Sequence, residues 1–125
     1  VLGEFQKNKG TLRDELFYYE GEKKIKTLAI THYTVLDCNS NYSLLKLNPE
    51  TGRKHQIRKQ LLIHGNPVLG DTKYRISLKQ TSKKNILMLH AHKINFSIAE
   101  KKYSYTADPP LVFMNILKEK YLKIY

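Results

Sequence analysis

The sequence has little cysteine and no long apolar segment, and each shortage excludes a class of protein. Its single cysteine, Cys38, permits no internal disulfide and fits no metal-binding pattern, so we expect a reducing compartment, the cytoplasm. The longest apolar runs, such as residues 86–89, are far shorter than the ~20 residues of a membrane-spanning helix. We see no secretory signal peptide, and the start at Val1 rather than Met suggests a fragment or a processed product.

Acidic residues are also scarce. The chain of 125 residues has 22 Lys and Arg against 11 Asp and Glu, which gives a net charge of +11. The excess lies beyond residue 22, because residues 1–22 hold three basic and five acidic groups. Such an excess attracts polyanions, and nucleic acid is the first candidate. The alternative is the lysine-rich composition of an AT-rich genome, in which case the charge says nothing about partners.

The composition is globular, and the length fits one domain over residues 1–125 with one core. The patterns predict a charged turn at 20–24, strands over 28–36 and 42–47 as an antiparallel hairpin, a helix over 53–63, an exposed loop over 75–85, a strand over 86–96 with a hairpin partner over 101–106, and a second helix over 111–125. This order predicts an α+β fold with a mixed or antiparallel sheet and two main helices.

The second helix has a start signal and an apolar face. Asp108 is the predicted N-cap, and the prolines that follow it suit a first turn. One face of this helix is predicted to pack against the core, and it carries Phe113, Ile116, Leu117, Tyr121 and Ile124.

Arg58 occupies an unusual position in the first predicted helix. On a helical wheel of about 100° per residue it falls between Leu61 and Leu62, inside the apolar arc that includes Ile57. An arginine on a buried face needs an anionic partner, because a buried unpaired charge costs several kcal/mol. Either Arg58 reaches solvent or pairs with Asp71 or Asp108, or it holds a catalytic carboxylate that this chain does not obviously provide.

At this point the sequence resembles a known family, the RluA-type RNA pseudouridine synthases. Residues 50–58, Glu-Thr-Gly-Arg-Lys-His-Gln-Ile-Arg, resemble the family signature Thr-Gly-Arg-x-His-Gln-(Ile/Leu)-Arg. Residues 65–74 resemble its Gly-His-Pro-(Ile/Val)-Leu-Gly-Asp-x-x-Tyr motif, with Asn66 in place of His. Residues 29–36, 89–96 and 107–113 resemble its Ala-x-Thr-x-Tyr-x-Val strand, its Leu-His-Ala strand and its closing Ala-Pro-x-x-Phe region.

The resemblance implies an enzyme that isomerises uridine to pseudouridine in rRNA or tRNA, as a monomer without metal or organic cofactor. The family's catalytic aspartate lies in a His-Arg-Leu-Asp-x-x-Thr-Ser-Gly motif that this sequence lacks, so the resemblance places it upstream of residue 1. Arg58 matches the arginine that pairs with that aspartate, and alone the chain is expected to be inactive. We expect RNA contacts from Arg53, Lys54, His55, Gln56 and Lys59, and support of the site from Leu89 and His90.

Several structural or non-catalytic interpretations remain open. His55 and Gln56 could be structural helix-packing groups, and the lysines of residues 73–84 could be merely solvated. His90 and His92 share a predicted strand face, but no acidic or cysteine cluster accompanies them, so we expect no metal site. A non-catalytic RNA-binding module that uses the same basic surface is the alternative function, and a purely structural domain is a third.

Overall fold

Three antiparallel strands form the larger sheet of the molecule. The structure is a computed structural model that describes residues 1–77 and 86–124. Strands β1 (Lys9–Glu20), β2 (Lys23–Cys38) and β3 (Ser43–Pro49) pair in the order β1-β2-β3. Gly21 closes the turn between β1 and β2 with a φ of 64°, a conformation that glycine adopts at little cost. The predicted charged turn and both predicted strands of the β2–β3 hairpin are therefore confirmed.

One face of β2 lies against the core. Ala29 and Thr31 are fully buried on this face, and Tyr33 and Val35 are half-buried further along it. The register with β3 then shifts between Val35 and Asp37, as in a β-bulge, which ends the alternation.

Helix α1 (Gln56–Ile63) packs across the inner face of this sheet. Its Leu61 is fully buried in a cluster with Leu12 and Val68, and Ile57 packs against the same cluster. Burial of one such side chain stabilises the fold by roughly 1.5–3 kcal/mol. The helix starts at residue 56 rather than the predicted 53, because His55 before it has a left-handed backbone with a φ of 52°.

A second, two-stranded sheet is formed by β4 (Lys93–Ile98) and β5 (Lys101–Thr106). The predicted hairpin is confirmed, but the predicted strand over 86–96 is wrong before residue 93. Residues 86–92 have no strand neighbour among the described residues. Instead, the Met88 amide donates to the Leu69 carbonyl at 2.9 Å, and the Leu89 amide donates back to Leu87 at 2.9 Å. The predicted loop over 75–85 lies outside the described residues from residue 78 onward.

Helix α2 (Leu111–Glu119) is shorter than the predicted helix over 111–125. Its N-cap is Pro110, not Asp108, and no side chain caps it. Asp108 and Pro109 each precede a proline, which disfavours helical backbone there, so the helix cannot start close enough for Asp108 to cap it. The predicted apolar face is right for Ile116 and Leu117, which are buried.

The same apolar face is wrong beyond the end of α2. Tyr121 has a left-handed φ of 58° and is 88% exposed, and Ile124 is also exposed. Leu122 takes their place and packs with Leu117 and Leu44 in a second apolar cluster. The prediction failed because it extended helical spacing past Lys120, where the helix ends.

The two apolar clusters meet at Met88, which packs against both of them. Gly70 lies so close to the segment around Met88 that a Cβ atom there would be 1.8 Å from the Ile86 carbonyl oxygen. Two helices with antiparallel sheets make the fold α+β, as predicted. Within the described residues, no helix has both the length and the apolar character needed to cross a membrane.

Candidate active site

Gln56 fixes the start of α1 to the sheet. Its Nε2 donates to the Ile30 carbonyl at 3.1 Å and to the Thr31 hydroxyl at 2.9 Å. Its Oε1 accepts from the Thr51 hydroxyl at 2.7 Å and from the Arg53 amide at 3.0 Å. The side chain is buried and each polar atom has partners, so Gln56 anchors the helix rather than facing an RNA. The structural alternative for Gln56 is the one that the geometry supports.

Gln60 has a similar structural role one turn later. Its side chain is fully buried, and its Nε2 donates to the carbonyls of Leu12 and Ala29, both at 3.1 Å, and to Asp14 at 2.9 Å. Its Oε1 accepts from the Thr31 hydroxyl. The helical wheel missed Gln60 because it treats glutamine as a solvent-facing residue. In the structure, the buried face of α1 is centred near Gln60 and Leu61. Arg58 therefore lies at the edge of the buried face, not inside it.

Arg58 forms a two-pronged ion pair with Asp71. Its Nε donates to Asp71 Oδ2 at 2.7 Å and its Nη2 donates to Oδ1 at 2.8 Å. The Asp71 side chain is 1% exposed and that of Arg58 is 18% exposed. The chain thus provides Arg58 with a carboxylate partner of its own. Of the two internal partners considered, it is Asp71 and not Asp108 that takes the contact.

The Asp71 carboxylate is held in its ionised form. Burial by itself would raise its pKa, but the hydrogen bond from Arg58 and those from the Tyr74 and Lys73 amides, both at 2.9 Å, outweigh burial and lower the pKa to about 2. The same hydrogen bond raises the pKa of the Arg58 guanidinium. By accepting these two amide hydrogen bonds, Asp71 Oδ1 also closes the turn over residues 71–74.

Tyr74 connects Arg58 with His55. The guanidinium carbon of Arg58 lies 4.9 Å from the centroid of the Tyr74 ring, within cation–π range. The Tyr74 hydroxyl lies 2.9 Å from His55 Nδ1. Burial and the positive charges of Arg58 and three nearby lysines lower the pKa of His55. The imidazole is therefore neutral near pH 7, between a phenol and a cluster of cations.

Basic side chains surround this group. The three lysines that act on His55 are Lys73, Lys54 and Lys59. Lys54 is exposed and Lys59 half-exposed, whereas Arg53 bends back so that its Nε donates to the Leu28 carbonyl at 3.2 Å. The structure thus brings His55, Arg58, Lys54 and Lys59 together as the sequence predicts. Asp71 and Tyr74 join them, and the spacing Gly-Asp-x-x-Tyr was the signal for both.

The two predicted supporting residues are Leu89 and His90. Leu89 is exposed, and His90 Nε2 is 2.9 Å from the Ala107 carbonyl oxygen. His92 Nδ1 is 2.8 Å from the same oxygen, so both rings fix the chain ahead of α2. Across residues 1–77 and 86–124, no three His, Cys, Asp or Glu side chains converge as metal ligands would. Just before His90 in the chain, the Met88 amide donates to the Leu69 carbonyl, two residues before Asp71.

Two human proteins share this fold. The chain superposes on human RNA pseudouridylate synthase domain containing 4 with a TM-score of 0.75 and 21% identity, over 98% of this chain and 60% of that one. For human RNA pseudouridylate synthase domain containing 1 the TM-score is 0.72 with 20% identity, over 87% and 51%. The fold is therefore that of a pseudouridylate synthase domain.

Sequence relatives identify the family. The profile of the RNA pseudouridylate synthase family matches residues 3–62. Ribosomal large subunit pseudouridine synthase C of Buchnera aphidicola is 36% identical over 97 residues, which is 72% of this chain and 31% of that protein. Synthase D of Borreliella burgdorferi is 34% identical over 94 residues, and tRNA pseudouridine synthase C of Haemophilus ducreyi is 30% identical over 102. This chain belongs to the RluA-type RNA pseudouridine synthase family, and it spans about a third of the length of these relatives.

Proposed function

We propose that the chain is the C-terminal part of a synthase catalytic domain that isomerises uridine to pseudouridine in structured RNA. Ribosomal RNA is the first candidate substrate and transfer RNA the second, because relatives of both kinds are similar to the chain. The enzyme acts in the cytoplasm, as a monomer, without metal or organic cofactor. The observation that carries this proposal is the Arg58–Asp71 ion pair, which joins the family signature at residues 50–58 to the motif at residues 65–74 and lies among lysines.

The Arg58 guanidinium has further N–H donors that could bind a second anion. The contact with Asp71 uses Nε and Nη2, and among the described residues Nη1 has no recorded acceptor. A guanidinium carries five N–H groups, so it can bind two carboxylates from different sides. The second would be the catalytic aspartate, supplied by a part of the parent protein outside residues 1–125. Arg58 would favour the ionised form of this aspartate, and the ionised carboxylate would act as a nucleophile or base.

The surrounding cations would grip the RNA. A target uridine must leave its base stack to reach the carboxylate, so the backbone must be held on either side of it. Lys54, Lys59 and Lys73 lie around His55 at this site, and each can bind a phosphate. Asp71 then has a supporting function, because it keeps the Arg58 guanidinium at one angle while RNA enters.

Enzyme activity tests the role of Arg58. In the intact parent protein we expect Arg58→Lys to lower pseudouridine formation about 100-fold, since an ammonium ion cannot reproduce the two-pronged contact. Mass spectrometry of target RNA measures the product. Arg13→Lys, an exposed arginine of β1, is the matched control and should keep wild-type activity. Equal activity of Arg58→Lys and wild type would refute the role of Arg58.

An activity assay of the 125-residue chain alone tests whether the catalytic aspartate comes from another part of the parent protein. We expect residues 1–125 to form no pseudouridine, because no carboxylate of the family motif is present to attack. Product from the pure chain would contradict this part of the proposal. A parent coding sequence without a His-Arg-Leu-Asp-like motif would contradict the enzyme proposal as a whole.

A second candidate is a non-catalytic RNA-binding module with the same surface. The basic cluster around His55 favours it, because that cluster needs no aspartate to bind phosphates. Both candidates predict that RNA affinity falls steeply between low and moderate salt. Only the enzyme proposal predicts that the intact parent converts uridine.

A further inference from the structure

Tyr74 contacts both functional groups of the site with different parts of its side chain. Its hydroxyl lies 2.9 Å from His55 Nδ1, and the two rings meet edge to face at 5.5 Å and 74°. Its ring face lies 4.9 Å from the guanidinium carbon of Arg58. Its backbone amide closes the turn on Asp71. One side chain therefore holds the arginine and the histidine at a fixed separation.

We propose that Tyr74 is a positioning residue whose hydroxyl donates to His55 Nδ1, so that His55 presents a neutral Nε2–H donor to an oxygen acceptor of the bound RNA. The inference rests on the proposed RNA substrate and adds to it a specific hydrogen-bonding group. In the described part of the chain, His55 Nε2 has no recorded hydrogen-bond partner, so this nitrogen is available.

The direction of the hydrogen bond follows from acidity. A phenol O–H is a good hydrogen-bond donor, and a neutral imidazole nitrogen is a stronger acceptor than a phenol oxygen. The proton thus stays on the tyrosine oxygen and points to Nδ1. Because a neutral imidazole carries one N–H, that group is then Nε2–H.

The charges around His55 favour the neutral ring. Arg58 and Lys59 belong to α1, Lys54 precedes it, and Lys73 is in the neighbouring turn. The nearest acid in this turn, Asp71, is already bound by Arg58. A protonated His55 would add a fifth positive charge to this group, whereas a neutral ring can donate to RNA without that repulsion.

The backbone of His55 supports a functional role. Its φ of 52° places a non-glycine residue in the left-handed region at the start of α1. Such a conformation is unfavourable for a residue with a side chain and persists where the surroundings impose it. Here it places the imidazole at the Tyr74 hydroxyl.

Nitrogen-15 NMR of the 125-residue chain tests the tautomer. At pH 7.5 we expect the His55 Nε2–H tautomer in the wild type and a mixture of both tautomers in Tyr74→Phe. Tyr103→Phe, which removes a half-buried phenol from β5, is the matched control and should leave His55 unchanged. An Nδ1–H tautomer in the wild type, or no change in Tyr74→Phe, would overturn the proposal.

The Arg58 side chain gives a second readout. Tyr74→Leu removes the ring, so exchange of the Arg58 Nε–H with water should become faster, whereas in Tyr74→Phe it should stay slow. Slow exchange in both variants would show that Asp71 alone holds the guanidinium and would overturn the positioning of Arg58.

RNA binding connects the tautomer to function. With a short hairpin RNA that has a uridine in its loop, we expect Tyr74→Phe to bind about fivefold more weakly, the equivalent of one hydrogen bond of about 1 kcal/mol. Equal affinity of Tyr74→Phe and wild type would overturn the link to RNA. If the tautomer and affinity change as expected but the intact parent forms no pseudouridine, the positioning role stands and the enzyme proposal fails.

Discussion

The two sheets of this molecule have the same alternating pattern but differ in what covers them. In the first sheet, Leu12, Leu16 and Ala29 are buried on its inner face, with Leu61 of α1 packed in the same layer. In the second, every residue of β4 is exposed. One face of that hairpin nevertheless carries only large side chains and one lysine: Ile94, Phe96, Ile98, Lys101, Tyr103 and Tyr105. Alternation thus specifies which side chains share a face, and a covering element is a separate requirement.

The second sheet is held together in another way. Phe96 and Tyr103 stack at 5.1 Å with an angle of 13° between their planes, and Tyr105 continues the stack at 6.0 Å. Such a pair contributes about 0.5–1.5 kcal/mol beyond the area that it buries. Local stacking therefore replaces packing against a helix here. The contrast predicts that equivalent substitutions will have very different effects in the two regions.

The largest difference in stability is expected between substitutions of two aspartates. Asp71→Asn should lower the free energy of unfolding by about 4 kcal/mol, because it leaves Arg58 charged beside a buried amide. Asp108→Asn should change it by less than about 0.5 kcal/mol, because Asp108 is exposed ahead of α2. Urea unfolding of both variants measures the difference. Similar values for the two would mean that the ion pair does not stabilise the fold.

A smaller difference in stability is expected between substitutions of two aliphatic residues. Leu61→Ala removes a fully buried side chain and should cost about 3 kcal/mol. Ile94→Ala, on exposed β4, should cost less than about 0.5 kcal/mol. Thermal unfolding followed by circular dichroism compares the two. A large loss in Ile94→Ala would show that the face of the second sheet is covered in solution, which would remove the contrast.

The smallest effect is expected from acid. The pKa of Asp71 is lowered from 3.8 to about 2, so its carboxylate stabilises the folded state fully above about pH 4. As the pH falls through about 2, this contribution of roughly 2 kcal/mol is lost. Urea unfolding at a series of pH values should show the loss in wild type but not in Asp71→Asn. An identical pH dependence in both would assign the acid sensitivity to other groups.

Sequence patterns predicted the fold well where local signals agreed with packing. The β1–β2 turn, the β2–β3 hairpin, the body of α1 and the β4–β5 hairpin follow from alternation, turn residues and helical spacing. The errors lie where a contact distant in sequence decides. Residues 86–92 have strand-like composition, but Met88 bonds to Leu69 and the segment remains irregular.

For the site, the sequence predicted that Arg58 requires an anionic partner but did not predict which residue provides it. The wheel showed that Arg58 requires an anion, and wheel geometry cannot show that a turn 13 residues later brings Asp71 within 2.7 Å. It also could not identify Gln60 as buried, because the partners that satisfy its amide come from β1 and β2. Tyr74 was found only as part of a motif, since its contact with His55 accompanies a left-handed backbone at His55 that the sequence does not predict.

Gly70 limits how this protein can vary. Its φ of 82° already disfavours any other residue, and an added Cβ would collide with the backbone of Ile86. Because Asp71 is the next residue, the collision would be relieved either by displacing the ion pair or by displacing the segment that bears Met88. One methyl group at position 70 would thus disturb either the Arg58–Asp71 ion pair or the apolar interior around Met88. A homologue with a larger residue there must have remodelled at least one of these two regions, so we expect position 70 to mark divergence within the family.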